Sequence, residues 1–293
     1  MPAPPPDARS HRAELVSIRP TGDDGAVLRI RTEQPLPELR AARFFMLRRT
    51  DALSPAIPRP FSLYRQHDDG DLEFLIKIMG RGTRALAESL PGTELLAVGP
   101  LGFGWPTLDG DGPPWVMVGG GIGSVPFYMG IEQALAGMDG ARPVDSDSIT
   151  YVYGGRHAGF LYDLEEFEKL GVRVLATTDD GSAGFQGNVV QCLEDQWSRG
   201  LLPERVRLLA CGPEPMMEAV AHLAEARGLD CWLSFETLMG CGVGICNGCA
   251  VMTSADGSMS SWPVAKCCVD GPVFNARDVT FDAAPRAHVP AGG

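Results

Sequence analysis

Residues Trp115–Tyr128 read WVMVGGGIGSVPFY, an apolar run that passes through Gly119, Gly120, Gly121 and Gly123 into a stretch of helical character. A strand that ends in clustered glycines and restarts as a helix lets the backbone come close to a dinucleotide. The fingerprint is partial: Ser124 stands where the final glycine belongs, and no acidic residue closes the next strand, ITYVYGGR. A tight turn without a ligand would look similar, so the surroundings have to decide. Downstream, apolar runs alternate with helical ones: SITYVYGG then LYDLEEFEKLG, VRVLATTDD, NVVQCLEDQW, VRLLACGP then EPMMEAVAHLAEARG. That rhythm predicts a parallel sheet wrapped by helices over about 113–228. Two further strand ends, TTDDGS (Thr177–Ser182) and ACGPEPMM (Ala210–Met217), fall on the same edge, where open parallel sheets bind ligands. The expected nucleotide contacts are Gly120, Gly121, Gly123, Cys211 and Gly212. Cys211 would put a soft thiol beside a nicotinamide, with plain packing as its alternative.

Upstream of the turn-rich linker Asp109–Pro114 the texture differs. Short β-type runs (RAELVSIRP, AVLRIRTE, ARFFMLRR, DLEFLIKIMG, TELLAVGP) are broken by turn residues, which predicts a small antiparallel barrel over 11–108. Two short motifs stand out in it. RPFS (Arg59, Pro60, Phe61, Ser62) offers a guanidinium fork for a pyrophosphate and a hydroxyl beyond an aromatic. GRGTRALAESL (Gly80–Leu90) follows an alternating strand and opens a helix with glycines and Thr83, the makings of an anion nest. Each alone also suits an ordinary turn or cap.

From residue 229 to 281 a third texture begins, rich in Cys and Gly and too short to fold without a staple. Five of the eight cysteines (Cys241, Cys246, Cys249, Cys267, Cys268) lie there, the first three as CGVGICNGC. The C-x4-C-x2-C spacing is the pattern of plant-type [2Fe–2S] ferredoxins. Gly242, Gly244 and Gly248 suit a loop that wraps a cluster and turns its amides toward sulfur. Zinc is the rival, but structural zinc prefers paired C-x2-C units or histidines, and no His lies between His222 and His288. Cys192 and Cys231 read as small buried apolar residues.

Composition bounds the rest. With 293 residues, 44% hydrophobic and 21% charged, the chain can build two globular domains and a small appendage. A net charge of −12 argues against nucleic acid. The N-terminus lacks the basic start and apolar run of a secretory leader, and no apolar stretch reaches the ~18–20 residues of a membrane span. The expected location is cytoplasmic, where clustered thiols mean metal or redox chemistry. Residues 1–10 are expected to be a disordered leader and 282–293 a loose tail.

Taken in order, RPFS, GRGT, GPLGFGW, VGGGIGSVPFY, TDDGS, CGPEPMM, CGVGICNGC and CCVDGPVF resemble the ferredoxin-NADP reductase superfamily over nearly the whole chain. More closely they resemble the electron-transfer subunits of class 1B dihydroorotate dehydrogenases. The resemblance implies an FAD-binding β-barrel, a Rossmann-like nucleotide domain and a [2Fe–2S] segment. Arg59 is then implied on the FAD pyrophosphate, Phe61 against the flavin and Ser62 near its reactive edge, with Leu75, Ile76, Lys77, Gly82 and Thr83 completing the contacts. Phe61 stands where Tyr is common in the superfamily. The family's last cluster ligand precedes DGPVF by one residue, which selects Cys268 over Cys267 beside Cys241, Cys246 and Cys249. The doublet is a departure from the family's pattern. The resemblance further implies NADH or NADPH as diffusible substrate and an FMN-containing catalytic partner in a hetero-oligomer acting in pyrimidine biosynthesis. Arg156 stands where it could meet a 2′-phosphate, which keeps NADPH open. Two other readings stay open here. The small subunit of an NADPH–ferredoxin transhydrogenase or sulfide dehydrogenase is similar, although some of those replace a cluster cysteine with Asp. A zinc-stapled, non-catalytic module would carry no flavin.

Overall fold

The computed structural model describes residues 8–51 and 55–281; most of the expected leader and all of the expected tail lie outside them. The N-terminal lobe is one seven-stranded antiparallel sheet built from β1 (Arg9–Thr21), β2 (Gly25–Thr32), β3 (Phe44–Arg49), β4 (Arg59–Ser62), β5 (Arg65–Gln66), β6 (Leu72–Lys77) and β7 (Glu94–Leu101). Its order is β4-β3-β7-β1-β2-β6-β5, and it curls until β4 packs against β6. The seven-residue helix α1 (Arg81–Ala87) leads from β6 toward β7. β1 begins two residues inside the expected leader, because Arg9–Glu14 pair with Gly99–Glu94. Ladder hydrogen bonds need no apolar side chains, so composition misses such residues.

The second sheet runs in the order β11-β10-β9-β8-β12-β13-β16. Its strands are β8 (Trp115–Gly120), β9 (Ile149–Gly155), β10 (Arg173–Thr178), β11 (Phe185–Gln186), β12 (Arg207–Cys211) and β13 (Asp230–Ser234), with an antiparallel edge strand, β16 (Val273–Asn275). Helices α2 (Val125–Ala136), α3 (Leu164–Glu168), α4 (Val189–Ser198) and α5 (Glu214–Arg227) connect the parallel strands. Helix α2 is apolar nearly all round and buries seven consecutive residues, Val125–Ile131, because it lies between its sheet and the barrel. No described helix is long and apolar enough to cross a membrane.

The Cys-rich segment differs from the expectation of a unit starting at residue 229. β13 already belongs to the large parallel sheet, and the chain returns to that sheet through β16. Between them lie only a hairpin, β14 (Ala250–Met252) with β15 (Val264–Lys266), and the four-residue helix α6 (Cys267–Asp270). A segment with this little apolar surface gains its order by borrowing a sheet edge.

The lobes share one continuous core. Trp105 stacks on Phe127 at 5.3 Å, Tyr64 meets Tyr128 at 5.0 Å, and Arg65 lies 4.1 Å above the Tyr128 ring. Gln133 of α2 accepts from Ala41 N at 2.9 Å and donates to Leu39 O at 2.6 Å. A polar latch joins them at Asp163, whose side chain is 4% exposed and pairs with Arg19. The Tyr64 hydroxyl donates to the same carboxylate at 3.1 Å. Burial works to raise the Asp163 pKa, but hydrogen bonding to Arg19 and Thr21 outweighs it, so the group sits below the ordinary 3.8. A depressed carboxylate stabilises the fold above its unfolded pKa and loses that contribution as pH falls through the folded one. The latch is therefore expected to weaken below about pH 4. Asp163→Asn should cost about 2 kcal/mol at neutral pH and flatten the acid dependence, as read by urea unfolding at pH 7 and pH 4.

Candidate functional site

The two barrel motifs meet in space. Arg59, Pro60, Phe61 and Ser62 form β4 and are all half-buried against β3. A Cβ added to Gly82 would lie 2.6 Å from Arg59 Nε, so the glycine is the cradle in which the guanidinium rests. Arg59 donates to Ile57 O. Thr83 is committed locally: its hydroxyl accepts from Met79 N at 2.9 Å and Gly80 N at 3.1 Å, capping α1. Leu75 and Ile76 turn fully into the core, 2% and 0% exposed. Lys77 leaves the end of β6 with its ammonium 3.5 Å from Asp24 Oδ2 and 4.5 Å from the Phe160 ring centroid.

A cavity of about 330 Å³ opens where the barrel faces the C-terminal strand ends of the parallel sheet, and its walls include Lys77, Gly120, Gly121, Arg156, Gly212 and Glu236. It thus gathers residues from the barrel motif and from the ends of β8, β9 and β12. Gly123 is required by close approach, since a Cβ there would sit 2.3 Å from Cys211 O and 2.6 Å from Gly212 Cα. Cys211 itself is 7% exposed and its thiol is pushed up by burial, while Gly212 and Pro213 form the wall at that strand end. A larger hollow of about 480 Å³ between the segment Pro35–Glu38 and α2 holds none of the motifs. Asp68, Asp69 and Glu132 in its wall would repel phosphates.

Sequence reasoning missed Glu236, which lines the smaller cavity together with Asp179 of the TTDDGS strand end. Glu236 is reached by solvent through the mouth yet surrounded by protein, which raises its pKa while Lys77 pulls the other way. The signal was available: an acid directly after the apolar run CWLSF stands at a strand end like the other special loops.

The thiols are brought together in pairs. Cys249 Sγ lies 3.3 Å from Cys268 Sγ, both side chains buried. Cys246 N donates to Cys241 Sγ at 3.4 Å, while the Cys246 side chain is exposed. Among the described residues no three His, Cys, Asp or Glu side chains converge on one point. Hydrogen bonding from Cys268 lowers the Cys249 thiol to about 6. Burial works to raise Cys241, but the backbone amides of Cys246, Val243 and Ile245 lower it to about 7. Thiolates cradled by amides are the donor chemistry of an iron–sulfur cluster, and these residues fit it. The loop is held in place by Lys266 Nζ donating to Gly244 O at 2.7 Å and by Gly242 at φ +71°, where a Cβ would strike Met46 Cγ at 2.6 Å. Cys267 points away from this group: it is 0% exposed, donates to Phe235 O at 3.5 Å, and burial pushes its thiol up to about 12.

A curled antiparallel sheet carrying an Arg-Gly cradle, set over the strand-end cleft of a nucleotide sheet and followed by four thiols, defines a nicotinamide-linked oxidoreductase of the ferredoxin-NADP reductase fold. Residues 117–222 match the oxidoreductase NAD-binding domain, and residues 236–280 match the iron-sulfur cluster binding domain of dihydroorotate dehydrogenase B. The chain belongs to the family of dihydroorotate dehydrogenase B electron transfer subunits. It is 36% identical over 242 residues to the subunit of that name from Geobacillus thermodenitrificans, covering 82% of this chain and 86% of the relative. Against the Bacillus caldolyticus subunit it is 36% identical over 229 residues, with coverage of 78% and 81%. It also superposes on the solved structure of an NADH-dependent reduced ferredoxin-NADP oxidoreductase studied for flavin-based electron bifurcation. That match has a TM-score of 0.76 and 26% identity, covering 92% of this chain and 90% of that one.

Proposed function

We propose that this chain carries electrons between a nicotinamide nucleotide and an FMN-containing subunit that oxidises dihydroorotate in pyrimidine biosynthesis, through FAD and a [2Fe–2S] cluster, in the cytoplasm. The observation that carries this reading is the single cavity shared by the barrel's Lys77 and the glycine loops Gly120–Gly121 and Gly212. When bound, FAD exchanges a hydride for single electrons and the [2Fe–2S] cluster relays them one at a time.

The chain's own contribution is placement. Arg59, braced by Gly82, supplies the guanidinium for a flavin diphosphate, and Phe61 and Ser62 lie on the same strand. Gly120, Gly121, Gly123 and Gly212 let a nicotinamide dinucleotide approach the strand ends. Cys211 lies buried behind the wall formed by Gly212 and Pro213 and does not line the cavity. Cys241, Cys246, Cys249 and Cys268 are the ligand set; loop amides favour the Cys241 thiolate, and the hydrogen bond within the Cys249–Cys268 pair lowers Cys249 while it raises Cys268. The test is direct: the purified chain, given FAD, iron and sulfide, should show NADH-driven bleaching of both flavin and cluster absorption. A colourless protein that binds zinc and no flavin would overturn the reading.

Electrons have to leave beside the thiol loop, and the Cys-rich segment exposes large apolar side chains. Leu238 is 90% exposed, Ile245 80% and Trp262 65%. Ile245, inside the thiol loop itself, is the exposed apolar side chain nearest the proposed exit in sequence. Ile245→Asp is expected to weaken association with the FMN subunit by about 10–30-fold while leaving NADH-driven flavin bleaching intact. Co-purification and titration calorimetry would check it.

The structural likeness to the ferredoxin-NADP oxidoreductase supports a second reading, in which the same cofactors serve a ferredoxin-linked partner. A pull-down with the FMN subunit distinguishes the two.

A further inference from the structure

The cavity has one wall on each of two sheets, so its width depends on what spaces the lobes. Hydride transfer is steep in that width, since a misplacement of ~1 Å can cost about 10²-fold. The segment Gly159–Asp163, which follows β9 in the nucleotide lobe, lies on the β1–β2 turn of the barrel. Asp23 N donates to Gly159 O at 3.0 Å, and Asp163 N donates to Thr21 Oγ1 at 3.0 Å. Between these two bonds the ring of Tyr162, wholly buried, is seated on two glycines: a Cβ on Gly22 or on Gly25 would lie 2.8 Å from Tyr162 Cδ1.

Tyr162 is bonded at both ends. Its hydroxyl donates to Asp24 Oδ1 at 2.5 Å, while Asp24 Oδ2 is 3.5 Å from Lys77 Nζ and Asp24 O accepts from Ile78 N at 2.7 Å. Its carbonyl lies 3.2 Å from the hydroxyl of Tyr153, a fully buried residue of β9, and the same hydroxyl lies 3.2 Å from Gly121 O. A hydroxyl has one proton, so Tyr153 shares it between the two carbonyls and ties them together. Gly121 opens the loop after β8 at φ +54°. The result is one chain of contacts, Lys77–Asp24–Tyr162–Tyr153–Gly121, which crosses from lobe to lobe and begins and ends in the cavity wall. Burying a tyrosine requires a partner for its hydroxyl, but not that the partner also hold a lysine of the opposite wall.

We propose that Tyr162 is a positioning residue that fixes the gap across the cavity, holding Lys77 of the barrel and the Gly121 loop at the separation that hydride transfer needs. It acts through Asp24 on one side and through Tyr153 on the other. Removing its hydroxyl releases the Asp24 carboxylate and Lys77 together while the ring keeps its seat on Gly22 and Gly25, so the lobes keep their fold and lose their spacing. The proposal rests on the reading of the cavity as the nicotinamide nucleotide site.

The test uses the full chain loaded with FAD and mixed rapidly with NADH while flavin absorbance is followed. Tyr162→Phe should lower the limiting rate of flavin reduction about 10-fold and leave NADH half-saturation within about twofold, because misplacement acts on the transfer step more than on binding. Asp24→Ala should give the same loss, and the double variant should be no slower than either single one, since both break one chain. A space-filling role for Tyr162 would instead move the thermal midpoint and leave the limiting rate in place. An unchanged limiting rate in Tyr162→Phe, a change confined to half-saturation, or losses that multiply in the double variant overturns the proposal. Should Tyr162→Phe fail to fold, Asp24→Ala decides alone: a lowered limiting rate at unchanged half-saturation supports the chain, and an unchanged rate overturns it. Failure of NADH to reduce the wild-type flavin would bring down the cavity reading itself, and the proposal with it.

Discussion

Cys268→Ala is expected to strip the chain of its cluster, lowering iron and sulfide retention by more than about 100-fold, since even partners that only orient a ligand are worth ~10–100-fold. Cys267→Ala, one residue away, is expected to keep iron, sulfide and the visible spectrum. The two thiols are adjacent in sequence and opposite in environment. Cys268 Sγ faces Cys249 Sγ at 3.3 Å, whereas Cys267 Sγ faces the Phe235 carbonyl at 3.5 Å. Cys267→Ala should instead show itself as a loss of about 1–2 kcal/mol in unfolding, from a small buried cavity and an unpaired carbonyl. In the Cys268 variant, NADH should still bleach the flavin while delivery to the FMN subunit stops. Iron analysis, absorption spectra and the two reduction assays check this. Iron retained in Cys268→Ala but lost in Cys267→Ala would reverse the assignment of the fourth ligand.

Gly123→Ala should be the most damaging single-methyl change in the nucleotide cleft. The added Cβ would meet Cys211 O at 2.3 Å, Cys211 C at 2.5 Å and Gly212 Cα at 2.6 Å. All three are backbone atoms of the neighbouring strand end, so no side chain can turn aside. The turn after β8 would have to lift from β12, at about 1–3 kcal/mol of stability. Because Gly212, Gly120 and Gly121 beside that junction line the cavity, NADH half-saturation in flavin reduction should rise by more than about tenfold. Gly155→Ala, also in the cavity wall, provides the contrast: its Cβ would meet Leu161 Cδ2 at 3.1 Å and His157 O at 3.2 Å, contacts that small shifts relieve. Thermal unfolding and nucleotide titration of both variants test the argument, and equal behaviour of the two would refute it.

Much of the architecture was legible because it is written in neighbouring residues. The run WVMVGG alternates with nothing polar and ends in glycine, as a strand buried on both faces does, and it forms β8, wholly buried. The turn-punctuated runs before Asp109 form the strands of the curled sheet for the same local reason. Local pattern failed where order comes from distant pairing. Arg9 and Ser10 gave no strand signal because β7 supplies their partners, and residues 230–234 sat in a Cys-rich texture while pairing with β12.

Sequence by itself determined the two-lobed plan, the glycine loops at one sheet edge and the set of thiols, because periodicity, turn chemistry and ligand spacing act within a few residues along the chain. Tertiary structure alone decided that Gly82 cradles Arg59, that Glu236 joins the cleft, and that Cys268 turns toward Cys249 while Cys267 turns toward the Phe235 carbonyl. Those outcomes depend on which strand ends become neighbours and which face of a four-residue helix is buried. Packing between segments far apart in sequence sets both, and no local pattern encodes them.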